Sequence, residues 1–280
     1  MSISVFPSGN FIVISDSNLI SIYDKRHNLI QKTSDKFPYD TRINYVNIKD
    51  ENNFITCSDN YIKFWTKKIN IFFLNAYKYV KSQLNKIEYY LKNTLISCSR
   101  ESSVIIWNEN KNKIKIKTIL IYSKEINSFL VIKDKNRLII SGEGIEIRKL
   151  KNLKLLHYYH GTGVDNYYGL ARLDENRIIA SYVLSAHASF IKIISLSENK
   201  ILESKITEGF WNILYPIKQK NILLVGIYSE ILVFKNNDIQ NTIQKLYDVH
   251  DEIIGIIELK NNEIASFGND GIIKIFKLEI

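Results

Sequence analysis

A strand-like phrase returns along this chain about every 42 residues, and nothing else in the sequence limits the fold so tightly. It reads "VISDSNLISIYD" around Tyr23, "ITCSDNYIKFW" at Trp65 and "ISCSRESSVIIW" at Trp107. It continues as "ISGEGIEI" at Ile147, "IASYVLSAHASFIKII" at Ile194, "LVGIYSEILVF" at Phe234 and "ASFGNDGIIKIF" at Phe276. The intervals are 42, 42, 40, 47, 40 and 42 residues. Short strands repeated at this period are the mark of a propeller blade. Seven phrases predict an all-β, seven-bladed propeller in one domain, residues 1–280, with blades near 1–38, 39–80, 81–122, 123–162, 163–206, 207–248 and 249–280.

The last repeat shows the blade most clearly. "IIGIIEL" is an apolar strand, "KNNE" a turn, "IASFG" a second strand, "NDG" a tight hairpin turn and "IIKIFKL" a third strand. An outer strand for this repeat has no source in the sequence, so the last blade is expected to lack one. First strands share a small or amide marker at Asn44, Asn127, Asn212 and Gly255, which suits a strand end. Between Tyr77 and Lys92, Val80, Leu84, Ile87 and Leu91 fall at helical spacing, but the repeat requires a strand near Ile87–Leu91, and the repeat is given precedence.

Composition narrows the setting. The chain carries 38 Lys and Arg against 29 Asp and Glu, a formal charge of +9, in a background rich in Asn, Lys and Ile. Its two cysteines, Cys57 and Cys98, sit at matching places in neighbouring repeats, which reads as core rather than disulfide framework or zinc site. No signal-peptide pattern opens the sequence, and no run of about 18 apolar residues suggests a membrane span. A reducing, intracellular and cytoplasmic setting is expected, with the nucleus also compatible.

The phrases resemble the WD40 repeat family, whose repeats join a His, a Ser or Thr, an Asp and a closing Trp in one hydrogen-bonded network. The last repeat matches best, with His250, Ser266 and Asp270 in order and Phe276 where the Trp would stand. The second keeps Asp59 and Trp65. The third keeps Ser97 and Trp107, with Glu101 in place of the Asp. The resemblance implies a rigid interaction platform, and it makes His250 and Asp270 structural rather than catalytic.

No enzyme motif is visible: HExxH, CxxC and the phosphate-binding GxxxxGK[ST] are all missing. No metal and no cofactor are expected, since the five histidines do not cluster with other ligands. The candidate partner site lies around the fifth blade. "HGTGVDNYY" enters it, "YVLSAHAS" reads as a long turn inside it, and "EGFW" enters the sixth. These loops bring His160, Tyr167, Tyr168, His187, Phe210 and Trp211 toward one face, and aromatic anchors suit a protein or peptide partner. The opposing reading makes Tyr168 and Trp211 core. An alternative function is polyanion binding, to RNA or a phosphoinositide membrane. It would use Lys113, Lys115 and Lys117, on one face of a strand with Ile114 and Ile116 on the other, and Arg148, Lys149 and Lys151 one blade on. Edge lysines also serve simply to block aggregation.

Overall fold

A computed structural model describes residues 2–15, 18–34, 42–110, 113–122, 125–160, 167–185, 188–209, 211, 213–217, 220–259 and 262–278. The fold class is the expected one, an all-β, seven-bladed β-propeller, with no α-helix among the described residues. No helix there is long and apolar enough to cross a membrane.

The first sheet contains β1 (Ser2–Val5), β2 (Phe11–Ile14), β3 (Leu19–Tyr23) and β4 (Leu29–Ser34). The second contains β5 (Ile43–Asp50), β6 (Asn53–Ser58), β7 (Tyr61–Lys68) and β8 (Ile71–Tyr79). The third contains β9 (Leu84–Leu91), β10 (Thr94–Ser99), β11 (Ser103–Asn110) and β12 (Lys113–Ile121). The fourth contains β13 (Ser128–Ile132), β14 (Arg137–Ser141), β15 (Ile145–Lys149) and β16 (Leu155–Tyr159). The fifth contains β17 (Tyr167–Arg172), β18 (Arg177–Ser185), β19 (Ala188–Ser195) and β20 (Lys200–Glu208). The sixth contains β21 (Ile213–Ile217), β22 (Ile222–Ile227), β23 (Glu230–Lys235) and β24 (Asp238–Leu246). The seventh has three strands among the described residues, β25 (Ile253–Glu258), β26 (Glu263–Gly268) and β27 (Ile273–Lys277). Every sheet is a meander in chain order, as short antiparallel hairpins dictate.

Contacts divide the chain into two compact units: Met1–Ile126 with Leu259–Glu263, and Asn127–Glu258 with Ile264–Ile280. Within the first, successive sheets bury one core per interface. Ile12, Ile14, Ile20 and Ile22 of the first sheet meet Val46, Phe54, Trp65 and Phe72 of the second. Ile55, Cys57, Ile62 and Phe64 meet Leu84, Ile87, Leu95 and Trp107 of the third. A side-chain clamp joins two outer strands: Gln31 Nε2 donates to the Phe72 carbonyl at 2.9 Å, and the Phe72 amide donates to Gln31 Oε1 at 2.8 Å.

The second unit is built alike. Ile139, Ile145 and Ile147 of the fourth sheet meet Ile178, Tyr182 and Ile194 of the fifth. The fifth meets the sixth through Ile179, Ile191 and Ile193 against Leu223, Val225 and Phe234. The sixth meets the seventh through Leu224, Ile231 and Val233 against Ile253, Ile256 and Ile264. The middle strands are apolar on both faces because a sheet covers each of them.

The helical spacing between Tyr77 and Lys92 gives way to β9. In that strand Leu84 and Ile87 are buried, and β9 pairs with β10. The fifth repeat corrects the expected long turn. Its strands run on to Ser185 and Ala188, paired with each other, so the extra residues of the 47-residue interval lengthen a hairpin rather than a loop.

Candidate functional site

The repeat network expected in the seventh sheet is assembled. His250 Nδ1 donates to the Asp270 carboxylate at 2.8 Å, and Nε2 shares a 3.0 Å bond with the Ser266 hydroxyl. Gly268 permits this approach, because a Cβ there would stand 2.5 Å from both the Glu252 carbonyl and His250 Cβ. Burial pushes the Asp270 carboxyl up, but hydrogen bonds from the Ile272 amide and His250, with nearby positive charge, outweigh it and hold it below the usual carboxylate range.

The two tryptophans complete their own versions. Trp65 Nε1 donates to Thr56 Oγ1 at 3.1 Å, and Trp107 Nε1 donates to Ser97 Oγ at 2.8 Å. In the second repeat the group bonded to Asp59 is Asn44, at the start of β5. Its Nδ2 donates to Asp59 Oδ1 at 3.0 Å and to the Leu84 carbonyl at 2.7 Å. These groups tie strands together, which makes them fold chemistry. Replacing Trp65 by phenylalanine should keep the packing, lose the indole bond and cost about 1 kcal/mol, read from urea unfolding midpoints.

The fifth-sheet constellation is only partly assembled. His187 and Phe210 lie outside the described residues. Tyr167 and Tyr168 begin β17, with a register irregularity between Tyr167 and Gly169. His160 is exposed, its ring edge-on to Tyr158 at 4.6 Å, and its carbonyl accepts from Lys192 Nζ at 3.3 Å. Trp211 requires a correction. It is 3% exposed, packs on Phe234 at 5.3 Å and donates from Nε1 to the Glu208 carbonyl at 3.0 Å. Its amide donates to Ser189 Oγ at 2.9 Å, and its carbonyl accepts from Ser181. The side chain fills the core between the fifth and sixth sheets and is not a surface anchor.

The basic rims also differ from expectation. Lys113, Lys115 and Lys117 are exposed on β12, but Ile116 is exposed beside them and only Ile114 is buried. A bulge opposite Trp107 resets the alternation, so the two isoleucines do not share a buried face. Lys149 and Lys151 are exposed. Arg148 is committed, from Nε to Glu146 at 2.6 Å and from Nη1 to the Leu153 carbonyl at 2.8 Å, because it closes the turn after β15.

Two features escaped the sequence reading. One is a polar cluster between β5 and β9. Tyr45 Oη donates to Glu88 at 3.2 Å, Lys86 pairs with Glu88 at 2.9 Å, and Lys86 lies over the Tyr45 ring at 5.6 Å. Burial pulls the Lys86 ammonium down, and the Glu88 charge with Tyr45 more than offsets it, so Lys86 is held above its usual range. Its ammonium therefore stays charged at neutral pH. Among the described residues no three His, Cys, Asp or Glu side chains converge on a metal site. Burial pushes the Cys98 thiol up to about 12 and Cys57 well above its ordinary value, so neither supplies a thiolate at neutral pH.

The other feature is β8. Alternation along an outer strand normally sets polar residues outward. Here the exposed positions include Ile71, Phe73, Tyr77 and Tyr79. The bulge opposite Trp65 resets the alternation, so Phe73 shares a face with Thr66 while Tyr77 and Tyr79 share the other with Lys63 and Tyr61. Tyr77 and Tyr79 are each 55% exposed, and Phe73 on the opposite face is 49% exposed. Tyr61 of β7 braces the tyrosine pair edge-on, at 6.0 Å from Tyr77 and 5.5 Å from Tyr79. The β7–β8 turn adds Ile69, 97% exposed, with positive φ at Ile69 and Asn70 (47° and 67°). Two positive φ angles suit a type I′ hairpin, yet a β-branched residue there is strained by about 1–2 kcal/mol. The signal in the sequence was "IFFLNAYKY", apolar or aromatic at both parities where a solvated edge would alternate.

The seven antiparallel sheets define the class of the fold, a β-propeller, and Tyr77 and Tyr79 of β8 give it an exposed aromatic pair. The chain matches no protein-family model, and no curated protein is significantly similar to it.

Proposed function

We propose that this chain is a non-catalytic scaffold that binds a protein or peptide partner through the face of β8 that carries Tyr77 and Tyr79, in an intracellular, cytoplasmic setting. The observation that carries the reading is the pair Tyr77 and Tyr79, large aromatics held half-exposed on one face of the strand and braced by Tyr61. Tyr and Phe offer wide contact area at low entropic cost, and Tyr adds a polar handle. The strain at Ile69 supports the same reading, since a fully exposed apolar side chain in a costly conformation is explained by a contact it makes elsewhere. Degenerate WD40-like repeats agree with a platform role.

The test compares affinity purification by the wild type with that by the combined variant Tyr77→Ser, Tyr79→Ser, followed by titration of the recovered partner. Partner affinity should fall at least about 100-fold, at roughly 2 kcal/mol or more for the principal anchors, with the thermal midpoint unchanged. Affinity should change little between about 50 and 200 mM salt. A collapse of binding over that range, with the aromatic variant binding normally, overturns the reading in favour of polyanion capture by Lys113, Lys115 and Lys117. Separately, Ile69→Asn should raise stability by about 1 kcal/mol in urea unfolding while weakening partner binding. A variant that gains stability and keeps full affinity removes the argument from strain.

A further inference from the structure

In every four-stranded sheet of this chain, the third strand is covered by a fourth in a common way. The register between them shifts beside the repeat's closing residue: Tyr23, Trp65, Trp107, Ile147, Ile194 and Phe234. The residue set opposite is Leu29, Leu74, Ile116, His157, Ile201 or Thr242, aliphatic in four sheets out of six. Under this cover five of the six closing residues are buried, and Tyr23 is half-buried against Phe11.

The seventh sheet breaks the rule. Among the described residues β27 has β26 on one side and no strand on the other. Its Ile273, Ile275 and Phe276 are all half-exposed, although Phe276 holds the position buried at Trp65, Trp107 and Phe234. An edge strand of this kind presents a row of backbone N–H and C=O groups beside uncovered apolar side chains, which is the template for strand addition.

We propose that the outer edge of β27 is a docking site for an extended strand of a partner protein. The strand lies antiparallel to β27, bulges beside Phe276, sets an aliphatic residue opposite it and offers an acidic residue to the exposed Lys277. The register and the aliphatic residue come from the six sibling sheets, and the acid from charge complementarity. All 27 described strands of the chain already have a place in a sheet. A second copy's β27 would bring its own Lys274 and Lys277, a poorer match to a basic edge. The site is separate from β8, so either reading can fail alone.

Backbone hydrogen exchange over residues 272–278 tests the proposal, with sedimentation to fix the oligomeric state. The probe is a synthetic peptide of residues 200–208, the fourth strand of the fifth sheet, carrying K200E so that an acid meets Lys277. Alone, the monomeric protein should exchange its outward β27 amides quickly. The peptide should slow them at least about tenfold, and the same peptide N-methylated at alternate residues should not. Lys277→Glu should weaken the peptide and leave the unfolding midpoint unchanged. Protection of β27 in the monomer alone means the chain covers its own edge and overturns the proposal, as does protection that appears only in a dimer. Failure of the peptide to protect β27, or equal protection by the N-methylated form, also overturns it.

Discussion

Replacing Trp107 by alanine should destabilise the protein by about 3–5 kcal/mol, the cost of emptying a large, fully buried aromatic site. Trp107 is 1% exposed and packs in the interface between the second and third sheets, with Ile55, Cys57, Phe64 and Leu95 around it. Its indole donates to Ser97, itself fully buried, so truncation also strands a hydroxyl. Those strands are central to two sheets, and the void cannot close without moving both. Urea unfolding followed by circular dichroism measures the loss. Trp107→Phe should recover most of it, leaving a deficit of about 1–2 kcal/mol for the missing donor. An alanine variant within about 1 kcal/mol of wild type means the sheets do not share a close-packed core at this residue.

The second large effect is expected at Asp270. Asp270→Ala should cost about 3 kcal/mol at neutral pH, because it leaves His250, 4% exposed, with one ring nitrogen unpartnered. The Asp270 carboxyl is held below the usual carboxylate range, so its ionised form is favoured in the folded state. Its contribution is therefore present above the unfolded pKa, about 3.9, and is lost as pH falls through the lowered folded value. Stability curves of wild type and Asp270→Asn should be separated at pH 7, start to draw together only below about pH 4, and meet once pH has passed below the lowered folded value. A gap that stays constant into acid assigns the role of Asp270 to packing alone.

Much of this architecture was readable because a propeller repeats itself. Seven closing residues at near-constant spacing fixed the number of sheets, and the turn chemistry of "NDG" fixed the hairpin order. What the spacing could not supply was the partnering of outer strands. The bulge opposite each closing residue depends on two strands at once, and it is why Ile116 emerges at the surface beside Lys115. Trp211 was misplaced for a related reason. A tryptophan after a glycine-containing loop reads as exposed until the Phe234 ring and the Glu208 carbonyl are seen to enclose it. Asn44 reads in the sequence as a strand-end marker, and only its distance to Asp59 reveals the bond between them. Tyr77 and Tyr79 are hidden in the sequence because they sit on a strand whose faces are exchanged by the bulge opposite Trp65, which depends on β7 as well as β8.

Hydrogen-exchange mapping of the protein with its captured partner tests the proposed function most directly. Binding through the Tyr77 and Tyr79 face of β8 predicts that protection gained on complex formation centres on residues 66–79 and is lost in the Tyr77→Ser, Tyr79→Ser variant. Protection centred elsewhere, with 66–79 exchanging as in the free protein, contradicts it.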